Sequence, residues 1–157
     1  MILKLLGCVT LLLMGGMGAL TLVNLERKRL ETLDGWIELI FHIRTRIDCY
    51  LTPIGEILAT ADTELLKPCQ GVPTDRSLEA LLQRGRFLLS PEANRLLTAF
   101  AREIGCSYRE EQVKRCDYYA DALRRLRDKE FDALPARLRV RCALCLCAAI
   151  GAAILLW

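Results

Sequence analysis

At 157 residues the chain holds one domain of ordinary size, which argues against a multidomain enzyme. Its 53% hydrophobic and 26% charged residues are compatible only if the two classes are segregated along the chain, and the net charge of +3 says little by itself. Eight cysteines would suit a disulfide framework in a small secreted protein, but Cys8, Cys142, Cys145 and Cys147 fall in uncharged segments.

From Leu5 to Leu25 there is no charge, and about 20 helical residues at about 1.5 Å each cross the hydrocarbon layer. Residues 1–25 are therefore expected to form an N-terminal transmembrane anchor. A cleaved signal peptide fits less well, because the stretch is longer than the usual apolar core and no small-x-small site directly precedes the charged turn at Glu26. Cys8 does not mark a lipoprotein signal, since the apolar run follows it.

Residues 26–138 are charged and read as helices. Leu30, Leu33, Ile37, Ile40, Ile43 or Arg44, Ile47 and Leu51 recur at spacings of three and four, an amphipathic stripe that can run straight on from the anchor. Thr52 is expected to cap a second helix, with Pro53 at its first position, where the missing N–H costs nothing. The stretch KPCQGVPTD at 67–75 reads as a loop, with Thr74 or Asp75 capping a helix through Leu78, Leu81 and Leu82. Ser90 and Pro91 open a fourth helix, whose buried face is Leu96, Leu97, Phe100 and Ile104. Gly105 ends it, because glycine accepts the left-handed conformation without a side-chain penalty.

Ser107 and Glu110 then form a capping box, each side chain serving the other's backbone N–H. Val113, Cys116, Ala120 and Leu123 give the next helix a narrow seam, and Glu110–Lys114, Glu111–Arg115 and Asp121–Arg125 are acid-before-base pairs four apart. Pro135 is expected to kink or end this helix. Residues 139–157 then form a C-terminal transmembrane helix, uncharged from Cys142 onward. No strand alternation appears, so the fold class is all-α: a helical bundle flanked by transmembrane helices. Arg27, Lys28 and Arg29 after the first anchor, with Arg137, Arg139 and Arg141 before the second, place the middle in the cytoplasm and both termini on the opposite side. Reduced thiols follow from that compartment.

Catalytic chemistry has no support: the sequence lacks a P-loop, a nucleophile elbow, a zinc-protease helix or a dinucleotide turn. Cys142, Cys145 and Cys147 have the spacing of metal ligands, but no fourth ligand follows. They read as small residues packing between membrane helices, so neither metal nor cofactor is expected. His42, the single histidine, has no adjacent nucleophile and reads as structural. The basic cluster Arg124, Arg125, Arg127 and Lys129 is interleaved with Asp121, Asp128 and Glu130, which argues against nucleic acid and for a solvated face or contact with anionic headgroups. Gly15 and Ala19 in the first anchor, and Ala148 with Ala152 in the second, supply small faces suited to packing or self-association.

Two motifs carry a family resemblance. IGCSYREEQVK at 104–114 resembles the signature of the stage III sporulation protein AB family at Ile104, Gly105, Ser107, Arg109, Glu110 and Gln112, with Tyr108 where the family usually has Asp. RIDCYLTPIGEIL at 46–58 is similar to a second motif at Ile47, Thr52, Pro53, Glu56 and Leu58, with Cys49 where the family usually has Tyr. The closing LCLCAA replaces a glycine-rich run. The resemblance implies a mother-cell membrane protein of endospore formers. Its helical domain would be similar to the inner-membrane F-type platform of type II secretion, within a complex joining mother cell and forespore. Its partners would be other stage III A-operon proteins, the cytoplasmic ATPase among them. Arg109, Glu111 and Gln112 are the candidate docking face. The competing readings are a membrane-tethered thiol or metal protein, or a regulator that sequesters a cytoplasmic factor.

Overall fold

The computed structural model describes residues 2–50, 52–71, 77–105 and 108–156. Among them there is no strand, and the fold is all-α. In chain order the helices are α1 (Ile2–Tyr50), α2 (Ile54–Thr60), the single turn α3 (Thr63–Leu66), α4 (Leu78–Gly85), a 3₁₀ turn (Arg86–Leu88), α5 (Pro91–Glu103) and α6 (Arg109–Leu156). The chain divides into two compact units, residues 28–130 and residues 1–27 with 131–157.

The helical unit, 28–130, is built around α1. Leu33, Ile37, Ile40, Ile43 and Ile47 are buried as the stripe requires, and Trp36 and Leu39 join them. Buried neighbours such as Leu39 and Ile40 widen the apolar face beyond one narrow seam, which is what a helix covered over a broad arc needs. Ile57 and Leu58 of α2, Leu66 of α3, Leu81 and Leu82 of α4, and Leu97 and Phe100 of α5 complete the same cluster. From α6 come Cys116, Tyr119, Ala120, Leu123 and Leu126. Each large side chain withdrawn from water contributes about 1.5–3 kcal/mol before entropy is counted. Gly35 lets the 67–71 segment approach α1, because a Cβ there would run into Pro68.

Several helix ends differ from the sequence expectations. Pro53, not Thr52, holds the N-cap position of α2: its extended backbone (φ −62°, ψ 144°) suits proline, and its carbonyl accepts from Glu56 and Ile57 at 3.0 Å. Thr52 stands one residue ahead of the cap. At α4, Ser77 is the cap, accepting from the Glu79 N–H at 3.3 Å, while Thr74 and Asp75 lie outside the described residues. Ser90 caps α5 by accepting from Ala93, with Pro91 in the first turn. Ile104 closes that helix and Gly105 follows at φ +90°, a conformation costly for any residue with a Cβ. Ser107, and with it the expected capping box, lies outside the described residues, as does Leu51.

Pro135 does not end α6, which continues to Leu156. Proline removes one i→i−4 hydrogen bond and crowds one carbonyl. Ala133, Leu134, Ala136, Arg137 and Leu138 around it are good or tolerant helix formers, which keeps that interruption local.

In the other unit Arg141 forms an ion pair with the carboxylate of Glu26, whose side chain is 6% exposed. Each residue is the charge that borders one uncharged run, so the pair sets the borders of the two runs side by side. Among the described residues no helix is long and apolar enough to cross a membrane. The side chains of residues 1–15 and 152–157, which hold much of both runs, lie outside that description.

Candidate functional site

Within the helical unit α1 and α6 run antiparallel, stitched by three Arg–Asp pairs that descend α1 as they ascend α6. Arg109 donates to Asp48 at 2.8 Å, Arg44 donates twice to Asp117 at 2.5 and 3.2 Å, and Arg127 donates twice to Asp34 at 2.9 and 3.4 Å. All are at least one-third exposed, so each is worth only about 0.2–1 kcal/mol, and their main effect is to fix register.

The outermost pair, Asp48–Arg109, marks the end of the unit where α1 stops and α6 begins. Two aromatic rings stand out from it: Tyr108 is 90% exposed and Tyr50 is 69% exposed. The Arg46 guanidinium lies 5.7 Å from the centroid of the Tyr50 ring and helps hold it. Cys49 is exposed between Asp48 and Tyr50. Tyrosine presents broad, rigid contact area with a polar tip, the side-chain chemistry that protein interfaces favour.

The sequence-derived candidates distribute themselves around this end. Arg109 is exposed and bound to Asp48. Glu111 pairs with Arg115 at 2.8 Å, and Arg115 also donates to the Glu103 carbonyl at 3.1 Å, tying the start of α6 to the end of α5. Gln112 is half-buried, its backbone N–H bonded to the Tyr108 carbonyl at 3.0 Å. Glu110 is exposed in the first turn, and Gly105 shapes the entry to it. Sequence reasoning missed Tyr50 and Tyr108 as surface features. Their signal was available: Tyr108 and Cys49 are the two departures from the resembled motifs, and both stand at this end.

Burial shifts several titratable groups elsewhere in the helical unit. Burial pushes the Cys69 thiol up to about 12, with Glu38 adding to it, and burial followed by the Asp117 charge does the same for Cys116. At neutral pH both are protonated and non-nucleophilic. Burial raises Tyr119 to about 12 as well, helped by Glu103. His42 is held below its ordinary value by burial and then by Arg46, with Asp62 opposing; its Nε2 is buried without a hydrogen-bond partner. Cys142 and Cys145 are half-buried and Cys147 is exposed. Among the described residues no three His, Cys, Asp or Glu side chains gather around one point that a metal ion would occupy.

Compared with known proteins, the sequence matches the family model described as stage III sporulation protein AB over residues 4–157. No curated protein and no solved structure matches it.

Proposed function

The chain belongs to the stage III sporulation protein AB family, and on that premise we propose that it is a non-catalytic, membrane-held platform acting at stage III of endospore formation. Residues 1–25 and 139–157 anchor it in the mother-cell membrane around the forespore, and the helical unit lies on the cytoplasmic side. Both uncharged runs are bordered by charge, and the Glu26–Arg141 pair at those borders supports their packing side by side. The platform belongs to a secretion-like complex with other stage III A-operon proteins, and the cytoplasmic ATPase docks on it.

The observation that carries the docking proposal is the pair of exposed tyrosines beside the Asp48–Arg109 ion pair, at the end of the unit where α1 and α6 meet. Flat aromatic anchors next to a fixed charge pair are typical of the residues that dominate binding energy at protein interfaces. The test is affinity purification of the tagged chain from sporulating cells, comparing wild type with a Tyr50→Ser/Tyr108→Ser variant and with an Arg109→Ala/Gln112→Ala variant. Loss of co-purifying stage III proteins, with the helical circular dichroism spectrum unchanged, is expected from both. Undiminished co-purification and normal spore yield in both variants would remove this face from the account.

A further inference from the structure

One cavity of the helical unit has no part in the docking of partners. On α1, Lys28, Glu31 and Thr32 occupy i, i+3 and i+4, one face of the helix. That face forms one side of a cavity of about 450 Å³, within the range of small-molecule sites; Lys67, Pro68 and Gln70 from the turn after α3, and Leu88 of the 3₁₀ turn, complete it. The walls are fixed by contacts around them. Pro68 packs on Gly35, and the Arg29 Nε donates to the Leu88 carbonyl at 3.4 Å. The turn itself is locked by the Gly71 N–H, which donates to the Leu66 carbonyl at 2.9 Å, and by the Gln70 N–H, which donates to the Lys67 carbonyl at 3.1 Å. Gln70 stands at φ +60°, where glycine would carry no side-chain penalty. A glutamine there keeps a side-chain amide at the cavity wall despite that penalty.

The lining joins two ammonium groups and one carboxylate to the apolar surface of Pro68 and Leu88. Both lysines are exposed, and among the described residues neither is in an ion pair. Two cations against one carboxylate leave a single positive charge, which one monoanion neutralises. A lipid phosphodiester carries one negative charge, whereas a phosphate monoester carries about 1.5–2 at neutral pH. An ammonium is a compact point charge that binds phosphate without the planar matching a guanidinium demands. The Gln70 amide can donate to a phosphate oxygen, and the Glu31 carboxylate can accept from a hydroxyl. Cations, an acceptor and apolar walls in one cavity suit an amphiphile better than an inorganic ion.

Position along α1 supplies the source of that amphiphile. Leu25 ends the first uncharged run, Lys28 follows three residues later and Thr32 seven. At about 1.5 Å per residue this face lies about 4–10 Å beyond the run. The headgroup layer on each side of the hydrocarbon is about 5–7 Å thick, so the cavity begins at headgroup depth. Resting on the membrane-held reading above, we propose that this cavity binds the phosphodiester headgroup of an anionic membrane lipid. Lys28 and Lys67 hold the phosphate, and Glu31 accepts from a headgroup hydroxyl.

The experiment is native mass spectrometry of the full chain released from a neutral maltoside detergent and titrated with phosphatidylglycerol or phosphatidylcholine, with inorganic phosphate as competitor. One phosphatidylglycerol is expected to bind about tenfold or more tightly than phosphatidylcholine. Lys28→Gln/Lys67→Gln should lose that preference. Lys114→Gln/Arg125→Gln, which removes the same charge from exposed positions elsewhere on the unit, should keep it. Circular dichroism checks that each variant is folded. Equal binding of the two lipids, an unchanged preference in the Lys28/Lys67 variant, its loss in the Lys114/Arg125 variant, or displacement of the lipid by inorganic phosphate at comparable concentration would each overturn the proposal. Flotation of the full chain with phosphatidylcholine vesicles, which lack the anionic headgroup, reports anchoring by itself. Flotation without lipid preference removes the cavity proposal and leaves the anchors standing; a chain that does not float removes the anchors and the lipid source with them.

Discussion

Phe100 tests the packing logic of the helical unit most severely. Its ring is 1% exposed and meets Tyr119 edge to face, with centroids 5.5 Å apart and planes at 63°. Phe100→Ala removes a buried aromatic from the place where α5 meets α6, a change that costs about 3–5 kcal/mol through lost transfer energy and the cavity left behind. A unit of roughly 100 residues has a total stability of about 5–15 kcal/mol, so this one ring accounts for a large share. With a urea slope of about 2 kcal/mol per molar, the unfolding midpoint should fall by about 2 M. Trp36, buried in the same cluster, supplies the fluorescence signal for titration of the full chain in mild detergent. A double-mutant cycle with Tyr119→Leu should return a coupling of about 0.5–1.5 kcal/mol. A loss below about 1 kcal/mol for Phe100→Ala would mean that α5 does not pack as described, and a coupling near zero would mean that the two rings do not meet.

Three further outcomes follow from the titratable groups and the backbone. His42 has its pKa lowered in the folded chain, so as pH falls through its ordinary 6.5 the unfolded chain takes up the proton first; stability is full above that pH and declines below it, and His42→Gln should flatten that part of a pH–stability curve. A thiol reagent at neutral pH should label exposed Cys49 in the native chain and spare Cys69 and Cys116 until denaturant is added, with peptide mass spectrometry separating the sites; fast native labelling of Cys116 would contradict its burial. Gly105→Ala forces a Cβ into the left-handed region at φ +90° and to 3.2 Å from Ile54, costing about 1–2 kcal/mol in the same urea titration.

The all-helical class and the buried faces of α1, α5 and α6 were legible because burial imposes a period on sequence. Leu33, Ile37, Ile40 and Ile47 repeat at three and four, and so do Cys116, Ala120 and Leu123. Trp36, Tyr119 and Leu126 escaped because a helix covered over a broad arc buries side chains off the main stripe. Cap positions were less legible: the segment before α2 has both a Thr and a Pro that can start a helix, and the backbone angles decide between them. Pro135 misled in a different way, since its local propensity argues for an end while its neighbours sustain the helix. For the candidate site, Arg109 could be chosen from sequence, but its pairing with Asp48 could not, because the two are 61 residues apart and only antiparallel packing unites them.

The central claim is an anchored platform that presents its helical unit to the cytoplasm, and topology tests it most directly. Paired reporters, one active only in the cytoplasm and one only outside it, would be fused at each terminus and inserted after Gly71 of the full chain. Activity of the cytoplasmic reporter at the insertion and of the outside reporter at both ends is the expected result. Cytoplasmic activity at the C-terminus would contradict the two-anchor account.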